Sequence, residues 1–145
     1  MPKWSVGRES EGADLRAVSD GVLQHGRAQA VGGDAKPLAC LLREDGAVVA
    51  GASGRTEFGR LFVLYLWVEA SRRGQGIGSL LLSKFEVAAL EFGCRDSLIE
   101  TLDERVAHLY QRLGYQRLVV ITAYVGRFNK HILLKELAAS GAHTE

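Results

Sequence analysis

The stretch that most limits what this chain can fold into is Leu61–Leu82, "LFVLYLWVEASRRGQGIGSLLL". Leu61 to Val68 is apolar at nearly every position, too short to span a bilayer, and reads as a central strand buried on both faces. Arg72 and Arg73 follow, then glycine at alternate positions 74, 76 and 78, then an apolar-periodic segment, Ser79 to Phe92, that reads as a helix. Its expected inward stripe is Leu81, Phe85, Ala88 and Phe92, with Ser83, Glu86 and Glu91 elsewhere, and Gly93 as its stop. Ser97 to Leu102 reads as the next strand, so 61–102 is expected to form a right-handed parallel strand–helix–strand unit.

The glycine turn has a chemical consequence. A helix N-terminus leaves about four backbone N–H groups unpaired and carries a partial positive charge. Glycines ahead of it permit positive φ and close approach of a ligand, which makes the turn an anion site suited to phosphate. Arg72 and Arg73 add full charges. The plainer alternative is a sharp turn with glycines placed for packing. The string is neither GxxxxGK[ST] nor, with glycines at 74, 76 and 78, the GxGxxG of dinucleotide sites.

The flanking sequence completes an α+β pattern. Trp4 to Val6 reads as a short edge strand, and Asp14 to Val31 as a helix with Asp14 at its cap and Leu15, Val18 and Val22 on one face. "VGGDAKP" is loop. Strands at about 38–44 and 47–53 flank Asp45-Gly46, a strong hairpin signal, and "GRTEFG" turns the chain into 61–68. Asp103 is the expected cap of a helix with Val106, Leu109, Tyr110 and Leu113 on its apolar face, ended by Gly114. Strands at 116–124 and 130–137, joined by a longer loop over "VGRFN", close the chain. The expectation is one domain over 1–145, with tails at 1–3 and 138–145. It holds a mixed, mostly antiparallel sheet of about six or seven strands, helices on both faces, and a central parallel strand–helix–strand unit.

Composition excludes several classes. With 18 Lys+Arg against 17 Asp+Glu the net charge is +1, which argues against a nucleic-acid binder that works through phosphates. A hydrophobic fraction of 47% fits a folded globular domain. The N-terminus lacks the apolar segment of a signal peptide, and Cys40 and Cys94 form no CxxC pair, so a cytoplasmic location is expected. His25, His108, His131 and His143 have no metal-ligand spacing, and no metal is expected.

"RGQGIG", Arg73 to Gly78, resembles the [QR]-x-x-G-x-[GA] acyl-CoA motif of the GNAT superfamily of N-acetyltransferases. "LFVLYLWVEASRRGQGIGSLLL" resembles that family's fourth strand and following helix, and "AHLYQRLGYQRL" its "LY/FY-x-x-x-GF" helix end. The resemblance covers about 38–137 and is densest over 61–115. It implies acetyl-CoA as cosubstrate, with the backbone N–H groups of Arg73, Gly74, Gln75, Gly76, Ile77, Gly78 and Ser79 on the pyrophosphate. Leu66, Trp67 and Val68 would pair with the pantetheine amides as an added strand. The sequence departs from the family's habits at Ala70, where proline is frequent, at Asp103 for Asn, and at Val106 for Ala. Its N-terminal part, which shapes the acceptor pocket in the family, holds about one helix where many members have two.

Acyl transfer from a thioester to an amine requires a neutral amine, a donor to the oxyanion and a proton for the leaving thiolate. The resemblance places Tyr110 as general acid and the Val68 N–H on the oxyanion; packing on its helix face also explains Tyr110. Glu100 and Glu69 are candidate bases at the strand ends, or solvated carboxylates. Tyr65 and Trp67 line the acceptor site or belong to the core. Arg127, Lys130 and His131 form a substrate lip, a dimer contact or a solvated turn. The expected function is transfer of an acetyl group to a primary amine within a ternary complex, a small molecule rather than a protein; the alternative is a non-catalytic acyl-CoA-binding module. A homodimer is expected, because the apolar 118–122 lies at a sheet edge that needs cover.

Overall fold

The computed structural model describes residues 1–29 and 34–137. The order is α1 (Gly12–Gln29), β1 (Lys36–Glu44), β2 (Ala47–Glu57), β3 (Arg60–Val68), a 3-10 turn (Ala70–Arg72), α2 (Ile77–Glu91), β4 (Asp96–Thr101), α3 (Glu104–Arg112), β5 (Gln116–Val125) and β6 (Phe128–Glu136). The strands form one sheet in the order β1-β2-β3-β4-β6-β5, antiparallel except for the parallel pair β3/β4. This is the expected mixed α+β architecture. α2 packs on β1, β2 and β3, and α3 on β4, β5 and β6.

β3 and β4 are joined at one end only. Their pairing runs from Arg60↔Asp96 to Phe62↔Leu98 and then stops. Arg60 staples that end, its Nε donating to Asp96 Oδ1 at 2.7 Å and its Nη2 to Oδ2 at 2.9 Å. This fork is a charge-assisted, bidentate contact. Beyond it, among the described residues, no strand pairs with Leu64–Val68 on the β4 side, so the sheet opens into a cleft toward the C-terminal ends of both strands.

A bulge sets which side chains face that cleft. Ser53 pairs with Tyr65 and Gly54 with Val63, leaving Leu64 over. The extra residue reverses the alternation. Leu61 and Val63 point to the core before the bulge, and Leu66 and Val68 after it. Tyr65 and Trp67 therefore project from the other face, 73% and 48% exposed. The uniform apolar run did not mean burial on both faces, and these two aromatics are not core residues. Gly54 makes the bulge possible: a Cβ there would lie 1.9 Å from the Phe62 carbonyl oxygen.

Other expectations need correction. Trp4–Val6 forms no strand and is exposed. α1 starts at Gly12, so Asp14 lies in its first turn rather than at its cap. Leu15, Val18 and Val22 are exposed, because α1 makes little contact with the sheet. The expected helix end at Val31 and the tail at 138–145 lie outside the described residues. On α2 the buried set is Leu81, Leu82, Phe85, Glu86 and Ala89, while Phe92, past the helix end, is 71% exposed. Glu86 faces inward because two groups bond its carboxylate and a third supports one of them. Lys135 Nζ lies 2.8 Å from its Oε1, Tyr115 donates to its Oε2 at 2.8 Å, and Ser97 supports Tyr115 at 2.8 Å. β2 runs to Glu57, so the turn is Phe58-Gly59, and the last hairpin turns at Gly126-Arg127 rather than through a longer loop.

Candidate active site

The turn between β3 and α2 owes its path to two glycines in the left-handed region, Gly74 at φ 79° and Gly76 at φ 79°, ψ 8°. Nothing lies within 4 Å of a Cβ built at either, so the requirement is conformational and not one of space. Gly76 is the N-cap of α2 and supplies no side-chain acceptor. The first N–H groups of that helix, from Ile77, Gly78 and Ser79, are left for a ligand. α3 differs: the Asp103 carboxylate accepts from Arg105 N at 2.8 Å and from Val106 N at 3.4 Å, so its own side chain occupies its N-terminus.

The two arginines of the turn behave differently. Arg72 is spent inside the protein, bonded to Glu44 and, through Nε at 3.4 Å, to Glu69 Oε2. It does not offer the free charge expected of it. Arg73 donates its Nε to the Val68 carbonyl at 2.9 Å, which fixes the stem at the strand end and leaves the terminal nitrogens of an exposed guanidinium toward solvent.

A cavity of about 350 Å³ joins these parts. Leu66, Trp67 and Val68 of β3, Arg73, and Gly78 and Ser79 of α2 line one side, and Val106 and Tyr110 of α3 the other. The structure thus brings together the strand end, the first turn of α2 and Tyr110. Tyr110 is only 6% exposed. Burial pushes its phenol above the ordinary tyrosine range. Among the described residues none hydrogen-bonds its hydroxyl, whereas the neighbouring Tyr115 is bonded to Glu86 and Ser97.

The two carboxylates lie apart from this cavity. Glu69 accepts from Ser71 Oγ at 2.9 Å and from Arg72, and so serves the 3-10 turn. Glu100 is exposed near the end of β4, its Oε1 2.7 Å from Lys130 Nζ. Contact with Glu100, then with the Tyr124 hydroxyl, raises the pKa of Lys130. A wider cavity of about 660 Å³ opens between Thr101–Arg105 and Arg127–His131. Beside it Glu104 holds Arg117 at 3.2 Å and faces buried His131 at 3.4 Å. The Arg117 contact, above all, lowers the pKa of Glu104. This cluster was missed from sequence, since its members lie on three elements with no shared spacing. Among the described residues no group of three or more His, Cys, Asp or Glu is placed to hold a metal ion, and no helix is long and apolar enough to cross a membrane.

Residues 10–115 match the profile of the Acetyltransferase (GNAT) family. The blasticidin-S acetyltransferase of Streptomyces morookaense is 40% identical over 95 residues, 65% of this chain and 70% of that protein. A crystal structure from Agrobacterium tumefaciens, assigned as an acetyltransferase, superposes with a TM-score of 0.84 at 25% identity, covering 93% of this chain and 99% of that one. An aminoglycoside 6'-N-acetyltransferase crystallised with coenzyme A shares the fold at a TM-score of 0.62 and 18% identity, over 70% and 73% of the two chains.

Proposed function

This chain belongs to the GNAT acetyltransferase family, and from that premise we propose that it transfers an acetyl group from acetyl-CoA to the primary amine of a small molecule, directly within a ternary complex. The observation that carries the proposal is the parting of β3 from β4 beside a helix N-terminus that no side chain caps. The unpaired edge of Leu66–Val68 offers strand-like hydrogen bonds to the amides of pantetheine. The N–H groups of Ile77, Gly78 and Ser79 and the guanidinium of Arg73 face the pyrophosphate, with Gly74, Gln75 and Gly76 shaping the turn. The blasticidin-S relative favours a small molecule over a protein as acceptor.

The amine nitrogen attacks the thioester carbonyl carbon and the C–N bond forms. The oxyanion is met by the Val68 N–H, the C–S bond breaks, and the thiolate takes the Tyr110 proton. The amine's surplus proton leaves to solvent or to Glu100, the carboxylate on the cleft side. Glu69 is the second candidate, engaged by Ser71 and Arg72 as Glu100 is by Lys130. We further propose a homodimer covering β5, the outer strand, where Leu118 to Ile121 are exposed; a monomer mass by light scattering at micromolar concentration overturns it. The catalytic test is CoA-thiol release from acetyl-CoA across a panel of amines. Amine-dependent release is expected; acetyl-CoA binding without release for any amine overturns the transferase reading.

A further inference from the structure

We propose that Tyr65 and Trp67 form the acceptor's binding surface, and that the acceptor is a cationic amine carrying a planar ring. The inference rests on the transferase reading above and names the substrate class it takes.

The bulge at Leu64 places both rings on the face of β3 opposite the side chains of Leu66 and Val68, and Trp67 also borders the donor cavity that those two line. An acceptor held there lies across one strand from the thioester, beside the cleft where β4 has parted from β3. The neighbouring strand leaves the rings open: Gly51 is paired with Trp67, and Ser53 with Tyr65. Leu41 leans into the space a side chain at position 51 would fill, 2.9 Å from where its Cβ would be. Across the cleft, Glu100 is on the same face, since Ser97 and Ile99 alternate with it and are buried.

Two large aromatics exposed two residues apart on a strand beside a cavity form a contiguous apolar surface that a ligand can cover. Side chains two apart on a strand stand about 6.6 Å apart. That is close to the roughly 7 Å that one flat ring needs to contact a ring on either side. Aromatic faces also attract an ammonium group. A second copy of the chain is the rival cover for the same rings.

Trp4 and Trp67 are the two tryptophans, so Trp4→Phe leaves Trp67 as sole reporter. Titration of that protein with 2-phenylethylamine is expected to change Trp67 emission saturably, with n-butylamine giving no saturable change. Tyr65→Leu should weaken the response at least tenfold and lower the ratio of kcat/KM for 2-phenylethylamine over n-butylamine at least tenfold. Tyr65→Trp should restore both. An unchanged ratio overturns the proposal, as does emission that follows protein concentration and ignores both amines, which is the mark of a second copy. If neither amine is acetylated, the wider amine panel still decides the transferase reading, and the emission titration alone decides whether the rings bind the amine.

Discussion

The rings of Tyr110 and Tyr115 lie 5.9 Å apart at 49°, yet their hydroxyls are employed differently. Tyr115 donates to Glu86 and accepts from Ser97, both at 2.8 Å, inside the core. Tyr110 lines the cavity beneath Val68, and no described residue bonds its hydroxyl. The pair therefore separates catalysis from stability. Tyr110→Phe keeps the ring and is expected to fold, bind acetyl-CoA and lose about 10²-fold in kcat, the lower part of the range for general acids. Because burial raises the phenol's pKa, the alkaline fall in wild-type rate should lie above pH 10, and the variant should lack it. Tyr115→Phe leaves Glu86 short of a donor and should cost about 1–3 kcal/mol in urea unfolding, with kcat close to wild type. Wild-type turnover by Tyr110→Phe reduces Tyr110 to a packing residue.

Gly76 tests the anion site. Its φ of 79° is costly for a side chain, while the space beside it is open. Gly76→Asn, whose side chain tolerates the left-handed region, should be milder than Gly76→Ala, which carries about 1–2 kcal/mol of strain. Gly76→Asp adds a negative charge where the pyrophosphate is proposed to sit. By calorimetry it should bind acetyl-CoA at least tenfold more weakly than Gly76→Asn. Equal affinities for the Asp and Asn variants overturn phosphate binding at this turn.

What the sequence disclosed, and what it hid, follows from how far each signal reaches. Asp45-Gly46, the glycine turn and the Asp103 cap are local devices in which the residue types dictate the backbone; the hairpin turn and the cap are found where the sequence places them, while the glycine turn ends earlier, since α2 begins at Ile77 and takes in Gly78. The apolar run Leu61–Val68 gave the right strand with the wrong burial. A bulge depends on close approach of Gly54 to Phe62 across strands, and no pattern along one strand reports it. Glu86 was assigned to the wrong side of α2 because its partners, Tyr115 and Lys135, come from 29 and 49 residues further along. The stripe of Leu15, Val18 and Val22 did mark a helix, but periodicity cannot say whether anything packs against it. Within the site, the turn and Tyr110 were legible because motif and element coincide. The fate of Arg72 was not, because Glu44 reaches it from another strand.

The bulge also yields a stability prediction. Gly54→Ala places a methyl group 1.9 Å from the Phe62 carbonyl oxygen and within 3.2 Å of the Leu64 nitrogen. Backbone cannot rotate aside as a side chain tip can, so β2 and β3 must separate. The loss should be about 3 kcal/mol or more, at the upper end of overpacking effects. Gly78→Ala is the control, since its Cβ would meet Val68 Cγ2 at an ordinary 3.7 Å. Similar urea midpoints for the two variants contradict this account of the bulge.

Acid should loosen the cluster around Glu104. Arg117 donates to its carboxylate at 3.2 Å, and this contact, with smaller contributions from His131 and His108, holds the carboxyl below the usual range in the folded chain. A folded-state pKa below the unfolded value means the unfolded chain takes up the proton more readily. The stabilisation is therefore present above the unfolded pKa, near 4.3 for Glu, and is lost as pH falls through the lower folded value. Glu104→Gln removes the charge and keeps the shape. The melting temperature of the wild type should exceed that of Glu104→Gln at pH 7, and the gap should close as pH is lowered past 4. Because Glu104 is exposed, the gap should also shrink in high salt. A gap independent of pH from 7 to 3 would mean that Glu104 contributes through shape and not through its charge on Arg117.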